Sequence, residues 1–262
     1  MKAERQAEAV EERSVDVFLG GRVTLVQPRK GHRAGLDAAL LQALVPSDAS
    51  GNAVDLGTGV GTVAFCLAAR AAKLSVVGVE RDTGLVACGR EALARPENTE
   101  FAARVHLFAA DVSRPRELSA QTGIAPESAD WVLMNPPFEP EGRVSQSPDV
   151  RRREAHVAAE GLVQSWLAAA AALLKPGGTV GLIYRADALP EVLDALSPQF
   201  GGVSVLPVHP KESAAAIRIL VTARRGSHAP FAIMPGLVLH QADGMWTPRA
   251  DAILRGAAEL AV

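Results

Sequence analysis

Long apolar runs are missing from this sequence of 262 residues, and cysteine and aromatic side chains are scarce. Gly, Arg or Asp interrupts each apolar run within about a dozen residues, well short of the ~20 that cross a membrane as a helix. The charged segment MKAERQAEAVEERS also lacks the apolar stretch of a secretory signal. These absences disfavour a helical membrane protein and predict an enzyme-like domain of the cytoplasm.

Cysteine and histidine usage predicts neither a disulfide nor a metal centre. Cys66 and Cys88 are the two cysteines, and both lie among Ala and Leu in helix-like segments, where we expect buried free thiols. The six histidines include no pair with the spacing of metal ligands. We therefore expect a reaction that does not depend on a bound metal.

Excess positive charge is also missing, since the formal net charge is −2. No global basic field therefore attracts nucleic acid. Positive charge is instead local, in one group made of Arg22, Arg29, Lys30, His32 and Arg33 and another made of Arg143, Arg151, Arg152 and Arg153. By charge count alone, both groups are better explained as solvated surface faces than as binding sites.

Residues 1–50 have the pattern of a small N-terminal annex. The segment VDVFLGGRVTLVQP holds two short strand patterns around Gly20 and Gly21, which predicts a hairpin. After RKGHRAG, Asp37 can cap a helix over DAALLQALV, and Pro46 ends that helix.

Residues 51–262 form one predicted domain in which strand and helix patterns alternate. The strand patterns are NAVDLG, LSVVGVE, RVHLFAAD, DWVLMN and TVGLIYR, followed by VSVLPVHP and AIRILVTARR. Continuous apolar strands that alternate with helices predict a parallel sheet covered on both faces. The last two strands have no long helix between them, so they should pair antiparallel. The prediction is an α/β fold with a Rossmann-like, doubly wound, seven-stranded sheet, mostly parallel with an antiparallel C-terminal strand. FAIMPGLVLH is compatible with a short hairpin, and PRADAILRGAAEL predicts a final helix.

A glycine-rich turn separates the first strand of this sheet from its helix. VDLGTGVGTVAFCLA places Gly57, Gly59 and Gly61 there, where glycine permits a tight turn and close approach of a ligand. The spacing is G-x-G-x-G rather than the dinucleotide G-x-G-x-x-G, and Asp55 precedes it. A pyrophosphate is bound by helix N–H groups and is repelled by a carboxylate. Asp55 therefore favours S-adenosylmethionine, which carries an ammonium and a sulfonium, over NAD.

Two further acids end the next strands. Glu80 closes LSVVGVE, where a carboxylate can accept hydrogen bonds from both ribose hydroxyls, and Asp111 closes RVHLFAAD, where it can accept from an adenine amino group. The alternative, solvated acids at helix caps, fits Asp82 better than it fits the set.

The segment WVLMNPPFEP stands at the end of the fourth strand, facing the same predicted ligand. Pro136 and Pro137 fix the backbone and offer carbonyl acceptors only, so Asn135 and Pro136 can present two oxygens to one amine while Phe138 forms a flat wall. Two acceptors localise the lone pair of a conjugated amine toward an incoming methyl group. Catalysis would then rest on positioning and electrostatics, without a strong base. The simpler explanation is a stiff strand-to-loop turn.

These motifs resemble the class I S-adenosylmethionine-dependent methyltransferases whose signature is Asn/Asp-Pro-Pro-Tyr/Phe. From about Val15 onward, the order of RAGLDAALLQALVP, VDLGTGVG, VGVERD, NPPF, RRREAH and LLKPGGTVGLIYR is similar to that of the bacterial tRNA(Val) adenine-N6 methyltransferases. That family acts on an adenine beside the anticodon. Phe138 stands where this branch usually has Tyr, which keeps stacking and loses a hydroxyl.

The resemblance implies a role for each matching residue. Asp55, Gly57 and Gly59, with Gly61 in the same turn, would contact the methionine part of the cofactor, Glu80 the ribose and Asp111 the adenine. Asn135, Pro136 and Phe138 would hold the target base, with Asn135 beside the cofactor as well. Arg33, Gly35 and Asp37 would close over the cofactor, although a helix cap explains Asp37 equally well. Arg151, Arg152 and Arg153 would contact RNA phosphates.

Other functions remain open from the sequence. A protein-glutamine N5 methyltransferase would use the same pocket but normally carries a longer helical N-terminal domain. A small-molecule methyltransferase is compatible with the absence of a visible RNA-binding domain, and a non-catalytic cofactor-binding module is disfavoured by the intact NPPF. An NAD dehydrogenase is disfavoured by the glycine spacing. For the favoured function we expect a tRNA partner, no membrane, and a monomer or homodimer.

Overall fold

The structure is a computed structural model that describes residues 12–29, 35–137 and 148–260. The predicted hairpin is present at its start, as β1 (Arg13–Phe18) and β2 (Val23–Pro28), paired antiparallel. The glycines Gly20 and Gly21 have φ angles of 64° and 99°, which the tight turn requires. Every residue of β2 is buried, while β1 alternates between exposed and half-buried positions. The hairpin therefore packs through its second strand.

A mostly parallel sheet forms the body of the molecule. Its seven main strands are β3 (Ser50–Leu56), β4 (Lys73–Glu80), β5 (Val105–Ala109), β6 (Ala129–Met134), β7 (Leu174–Arg185), β8 (Phe200–Lys211) and β9 (Arg218–Arg225). They lie in the order β8-β9-β7-β6-β3-β4-β5, and β9 is antiparallel to both of its neighbours. The predicted fold class is confirmed. The chain order reverses beside β3, between β4 and β6, and ligands of open α/β sheets bind at such a switch point.

Two short strands extend the sheet beyond β8. The hairpin considered for FAIMPGLVLH is not formed there. Strands β10 (Ala232–Ile233) and β11 (Leu237–His240) each pair parallel to β8 rather than with each other. FAIMPGLVLH thus follows one sheet edge in a single direction. Both segments pair in succession with β8, whose length of 12 residues accommodates them.

Helices cover both faces of the sheet. They are α1 (Leu36–Gln42), α2 (Thr62–Arg70), α3 (Thr83–Leu93), α4 (Thr99–Ala102), α5 (Pro115–Thr122), α6 (Pro148–Leu173), α7 (Leu189–Leu196) and α8 (Pro248–Leu254). One hydrophobic cluster joins β2, α1, α2, α3 and α8, and a second joins α5, α6 and α7 on the opposite face. Strand β2 and helix α1 of the annex therefore share a core with the helices of the larger domain.

Two local predictions are confirmed within this frame, the cap of α3 and the buried free cysteines. Asp82 caps α3, since its side chain accepts hydrogen bonds from the backbone N–H groups of Gly84 and Leu85. Cys66 and Cys88 are buried free thiols, and burial raises the pKa of Cys66 to about 12. Among the described residues, no helix is long and apolar enough to cross a membrane. The same part of the chain holds no group of three metal-ligating side chains.

Candidate active site

A cavity of about 820 Å³ opens at the carboxyl ends of β3, β4 and β6. Parallel strands bring these ends to one edge of the sheet, so residues far apart in sequence meet there. The predicted site residues that line the cavity are Gly35, Asp37, Asp55, Gly57, Gly59, Glu80, Asp111, Asn135 and Pro136. Gly61 does not line it.

The turn between β3 and α2 forms the floor of the cavity. Gly57 has a φ angle of 71°, and its N–H donates to the Val79 carbonyl at 2.8 Å. A Cβ at this position would lie 2.4 Å from Cη2 of Trp166, so the close packing of α6 also requires glycine. Gly59 has a φ angle of 57°, but a Cβ there would meet nothing within 4 Å. The backbone at Gly59 thus borders open space that a ligand can fill.

Gly61 lies at the start of α2 and does not line the cavity, so its contact with the cofactor stays a prediction. It is the N-cap residue of α2 with a φ angle of 94°, and a Cβ there would lie 2.6 Å from the ring of Phe65. The positive φ angle at the start of the helix and the close packing of Phe65 both explain why glycine occupies this position.

Glu80 connects the turn to the end of β4. Its carboxylate accepts a hydrogen bond from Gly59 N–H at 3.0 Å through one oxygen and from Asp82 N–H at 2.9 Å through the other. A carboxylate has about four acceptor sites, so each oxygen keeps capacity for a further donor. Glu80 can therefore fix the glycine turn and still accept hydrogen bonds from a ligand in the cavity.

Asp55 is buried beneath this turn, with 1% of its surface exposed. Burial raises its pKa to about 7, against the opposing hydrogen bonds from the Thr58 hydroxyl and the Ala64 N–H, and the nearby charge of Glu80 raises it further. A cationic ligand placed beside Asp55 would favour the ionised carboxylate. The site therefore suits a positively charged group.

Asp111 lies across the cavity in a more open environment. The Ser113 hydroxyl donates to its Oδ1 at 2.7 Å, and the Ser113 N–H donates to the same atom at 2.9 Å. These hydrogen bonds hold the pKa of Asp111 below its ordinary value, with smaller contributions from the charges of Arg114 and Arg81. Asp111 is thus an ionised acceptor at neutral pH.

Asn135 directly follows β6 and lies at the mouth of the cavity with Pro136 and Pro137. Its position follows from the sheet, because Met134 of β6 pairs with Leu56 of β3, next to the glycine turn. The start of the methyl-acceptor motif therefore lies beside the turn predicted to hold the cofactor.

An ion pair between α1 and β9 crosses one side of the cavity, and it corrects the proposed helix cap. Gly35 is the N-cap residue of α1, and Asp37 lies in the first turn, where Nε of Arg218 donates to its Oδ2 at 3.1 Å. Asp37 is therefore not a cap. It connects the annex to the sheet at the edge of the cavity.

Sequence analysis missed several residues of this cavity, notably Thr58, Trp166, Ile217 and Arg218. Thr58 stands inside the glycine motif and could have been found there. Trp166 and Arg218 carry no local signal, because only the packing of α6 and the antiparallel pairing of β9 bring them to the site. Arg33, Phe138 and the side chains of Arg151, Arg152 and Arg153 lie outside the part of the chain that the structure describes, as do Lys30, His32 and Arg143.

A family model described as the methyltransferase small domain matches residues 33–211, about two thirds of the chain. The match covers every element that lines the cavity up to the end of β8.

Individual proteins are similar over most of their length. The chain is 28% identical over 244 residues to the tRNA1(Val) (adenine(37)-N6)-methyltransferase of Porphyromonas gingivalis strain W83, covering 89% of this chain and 91% of that protein. It is 30% identical to the enzyme of the same name from Actinobacillus succinogenes, over 65% of this chain and 68% of that protein. The crystal structure of a predicted O-methyltransferase from Agrobacterium tumefaciens superposes with a TM-score of 0.74 at 31% identity, covering 86% of this chain and 99% of that one.

Proposed function

This chain belongs to the methyltransferase small-domain family and is an S-adenosylmethionine-dependent methyltransferase, and on that premise we propose that it methylates the N6 amine of an adenine in tRNA. The observation that carries the proposal is the position of Asn135. Asn135 and Pro136 border the same cavity as Asp55, Glu80 and Asp111, so an acceptor amine and a cofactor can lie side by side.

The residues of the cavity fit an adenosyl cofactor. The backbone at Gly59 faces open space, and the cavity of about 820 Å³ lies within the range of cofactor sites. Asp55 would hold the ammonium, Glu80 the ribose hydroxyls and Asp111 the adenine amino group. When bound, S-adenosylmethionine supplies an electrophilic methyl group on a sulfonium.

Asn135 and Pro136 would orient the acceptor. The side-chain oxygen of Asn135 accepts one N–H of the amine and the carbonyl of Pro136 accepts the other, which turns the nitrogen lone pair toward the methyl group. Asn135 contributes an acceptor without adding a charge beside the three acids. Pro136 and Pro137 keep this geometry rigid, because proline fixes φ and restricts the residue before it. The contribution is positioning and electrostatic stabilisation.

A tRNA acceptor is supported by two relatives, which carry the name tRNA1(Val) (adenine(37)-N6)-methyltransferase and align with most of this chain. An anticodon-loop base is already unpaired, so extruding it into the cavity costs less than extruding a base from a duplex. The net charge of −2 requires that any phosphate contacts come from local basic groups rather than from the whole surface.

The test is to incubate the protein with labelled S-adenosylmethionine and bulk tRNA, and then to identify the modified nucleoside. We expect N6-methyladenosine. Asn135→Ala should lower kcat by about 100- to 1,000-fold, the usual effect of removing one group that stabilises the transition state. Asn135→Asp, which keeps an acceptor oxygen, should retain more activity than Asn135→Ala.

Asn52→Ala is the matched control, because Asn52 lies at the opposite, amino end of β3. It should leave kcat unchanged. Label found on a ribose oxygen would show that the acceptor is a hydroxyl rather than an amine, as the name of the Agrobacterium neighbour suggests for that protein. Label found only in protein or in a small molecule would refute the RNA substrate.

A further inference from the structure

A stacked aromatic pair lies at the carboxyl edge of the sheet, outside the cavity described above. The rings of His240 and Trp246 have centroids 4.2 Å apart and an interplanar angle of 26°. Trp246 is 37% exposed, in a chain with only 4% aromatic residues. Part of an aromatic ring is thus accessible at the surface, where a planar ligand can stack on it.

The turn that carries the pair is held by several hydrogen bonds. His240 and Trp246 form an antiparallel bridge, and Nε2 of Gln241 donates to the Trp246 carbonyl at 2.9 Å. The Thr247 N–H donates to the Leu239 carbonyl at 2.8 Å. The two rings are therefore presented by a preformed turn, which reduces the entropy lost when a ligand stacks on them.

Trp246 also lines a second cavity of about 360 Å³, beneath the tip of the β1–β2 hairpin. The walls include Phe18 and Leu19 of the hairpin and Gly35 and Leu36 at the start of α1. Gly35 and Leu36 line the large cavity as well. Among the described residues, the start of α1 is thus a wall that the two cavities share.

The edge between the two sites carries two basic side chains, Lys211, which is exposed, and Arg218, which is paired with Asp37. From Asn135 the edge runs past the ends of β7, β9 and β8 to β11, a distance of four strand spacings of ~4.8 Å, or about 19 Å. Arg218 starts β9 there, and exposed Lys211 at the end of β8 is the register partner of His240. A strand of RNA that spans a few nucleotides would place its phosphates along this edge.

We propose that His240, Trp246 and the adjoining cavity form a second base-binding subsite, which takes an unpaired base of the RNA strand that carries the methyl-accepting adenine. The inference rests on the proposed function and adds how the substrate is held. Aromatic rings that stack on successive bases, combined with cations along the backbone, are the general means of binding single-stranded nucleic acid. A tight turn with an exposed tryptophan supplies the ring, and Lys211 supplies a cation.

The test compares three variants of the full chain in tRNA methylation and in binding of a fluorescent anticodon stem–loop RNA. Loss of one stacking contact should make Trp246→Ala bind RNA about 5- to 150-fold more weakly, and should raise the KM for tRNA with kcat nearly unchanged. Trp246→Phe, which keeps a ring, should restore most of the affinity. Phe231→Ala is the matched control, because Phe231 is 49% exposed beside the amino-end half of β8. It should bind like wild type.

Crosslinking of wild-type protein to RNA that carries 4-thiouridine avoids any effect of substitution on folding. We expect crosslinked peptides from the 237–249 segment. Wild-type KM and affinity in a folded Trp246→Ala variant, or crosslinks elsewhere but none in this segment, would overturn the subsite while leaving tRNA methylation intact. If wild-type protein methylates no RNA, both proposals are refuted. A homodimer that Trp246→Ala dissociates would assign the surface to a second copy of the chain instead.

Discussion

Replacing Asp55 by Asn should stabilise the protein at neutral pH and abolish its use of the cofactor. Burial raises the pKa of Asp55 from an ordinary value of 3.8 to about 7. Each pKa unit corresponds to ~1.4 kcal/mol, so a fully ionised Asp55 costs the folded state about 4 kcal/mol relative to the neutral acid. Asparagine resembles the neutral acid in shape and can still accept the hydrogen bond from Thr58.

The sign of the pH dependence follows from the raised pKa. Below its unfolded pKa, Asp55 is neutral in both states and no penalty exists. As pH rises toward the folded pKa, the unfolded state releases the proton first, and the stability contributed by the neutral acid is lost until about pH 7. The free energy of unfolding of Asp55→Asn minus that of wild type should therefore grow by about 3 kcal/mol between pH 5 and pH 8.

The assay is urea denaturation across this pH range, with and without S-adenosylmethionine. The cofactor should stabilise wild type by about 2.7 kcal/mol when it is present at 100 times its Kd. It should not stabilise Asp55→Asn, because this variant cannot offer a carboxylate to the ammonium of the cofactor. Asp130→Asn is a control of opposite sign. Although burial opposes it, the hydrogen bond from Lys175 at 2.7 Å and that from the Asn52 N–H hold the pKa of Asp130 below its ordinary value.

Asp130 stabilises the fold above its unfolded pKa, and this contribution is lost as pH falls through its folded pKa. Asp130→Asn should therefore be less stable than wild type at neutral pH, with the deficit shrinking in acid. A stability difference between Asp55→Asn and wild type that stays constant from pH 5 to pH 8 would refute the argument for a neutralised, buried acid.

Two further predictions concern the walls of the cavity. Gly57→Ala should lower the free energy of unfolding by about 1–3 kcal/mol, because the new Cβ would meet Trp166 and the φ angle is positive. Chemical denaturation measures this loss. Gly59→Ala, where φ is also positive but the Cβ would enter open space, should lower the free energy of unfolding by less. Equal losses in the two variants would show that Trp166 is not the obstacle. The second prediction concerns the Asp37–Arg218 ion pair, in which 22% of the Asp37 side chain and 28% of the Arg218 side chain are exposed. A double-mutant cycle with alanine should therefore give a coupling energy of about 0.2–1 kcal/mol. A much larger coupling energy would mean that water screens the pair less than its exposure implies.

Local patterns predicted the elements well where one physical rule dominates. Continuous apolar runs identified the buried strands, and Gly20 with Gly21 identified the hairpin. Asp82 was correctly predicted as a cap, since Gly84 and Leu85 N–H groups follow it within one turn. The same rule failed at Asp37, because the N-cap residue of α1 is Gly35, two residues before Asp37, and because Arg218 binds the carboxylate. The hairpin interpretation of FAIMPGLVLH failed for a similar reason. The long strand β8 pairs with both halves of this segment, which no local pattern can indicate.

The sequence by itself determined the order of strands and helices, the glycine turn and the acids that follow successive strands, because each depends on neighbours within a few residues. It also predicted that these acids meet Asn135, since parallel strands align their carboxyl ends. Only the tertiary structure decided which more distant side chains complete the cavity. Trp166 fills the space above Gly57 from a helix on one face of the sheet, and Arg218 reaches Asp37 from an antiparallel strand. The packing of separate elements, rather than any local preference, fixes both contacts.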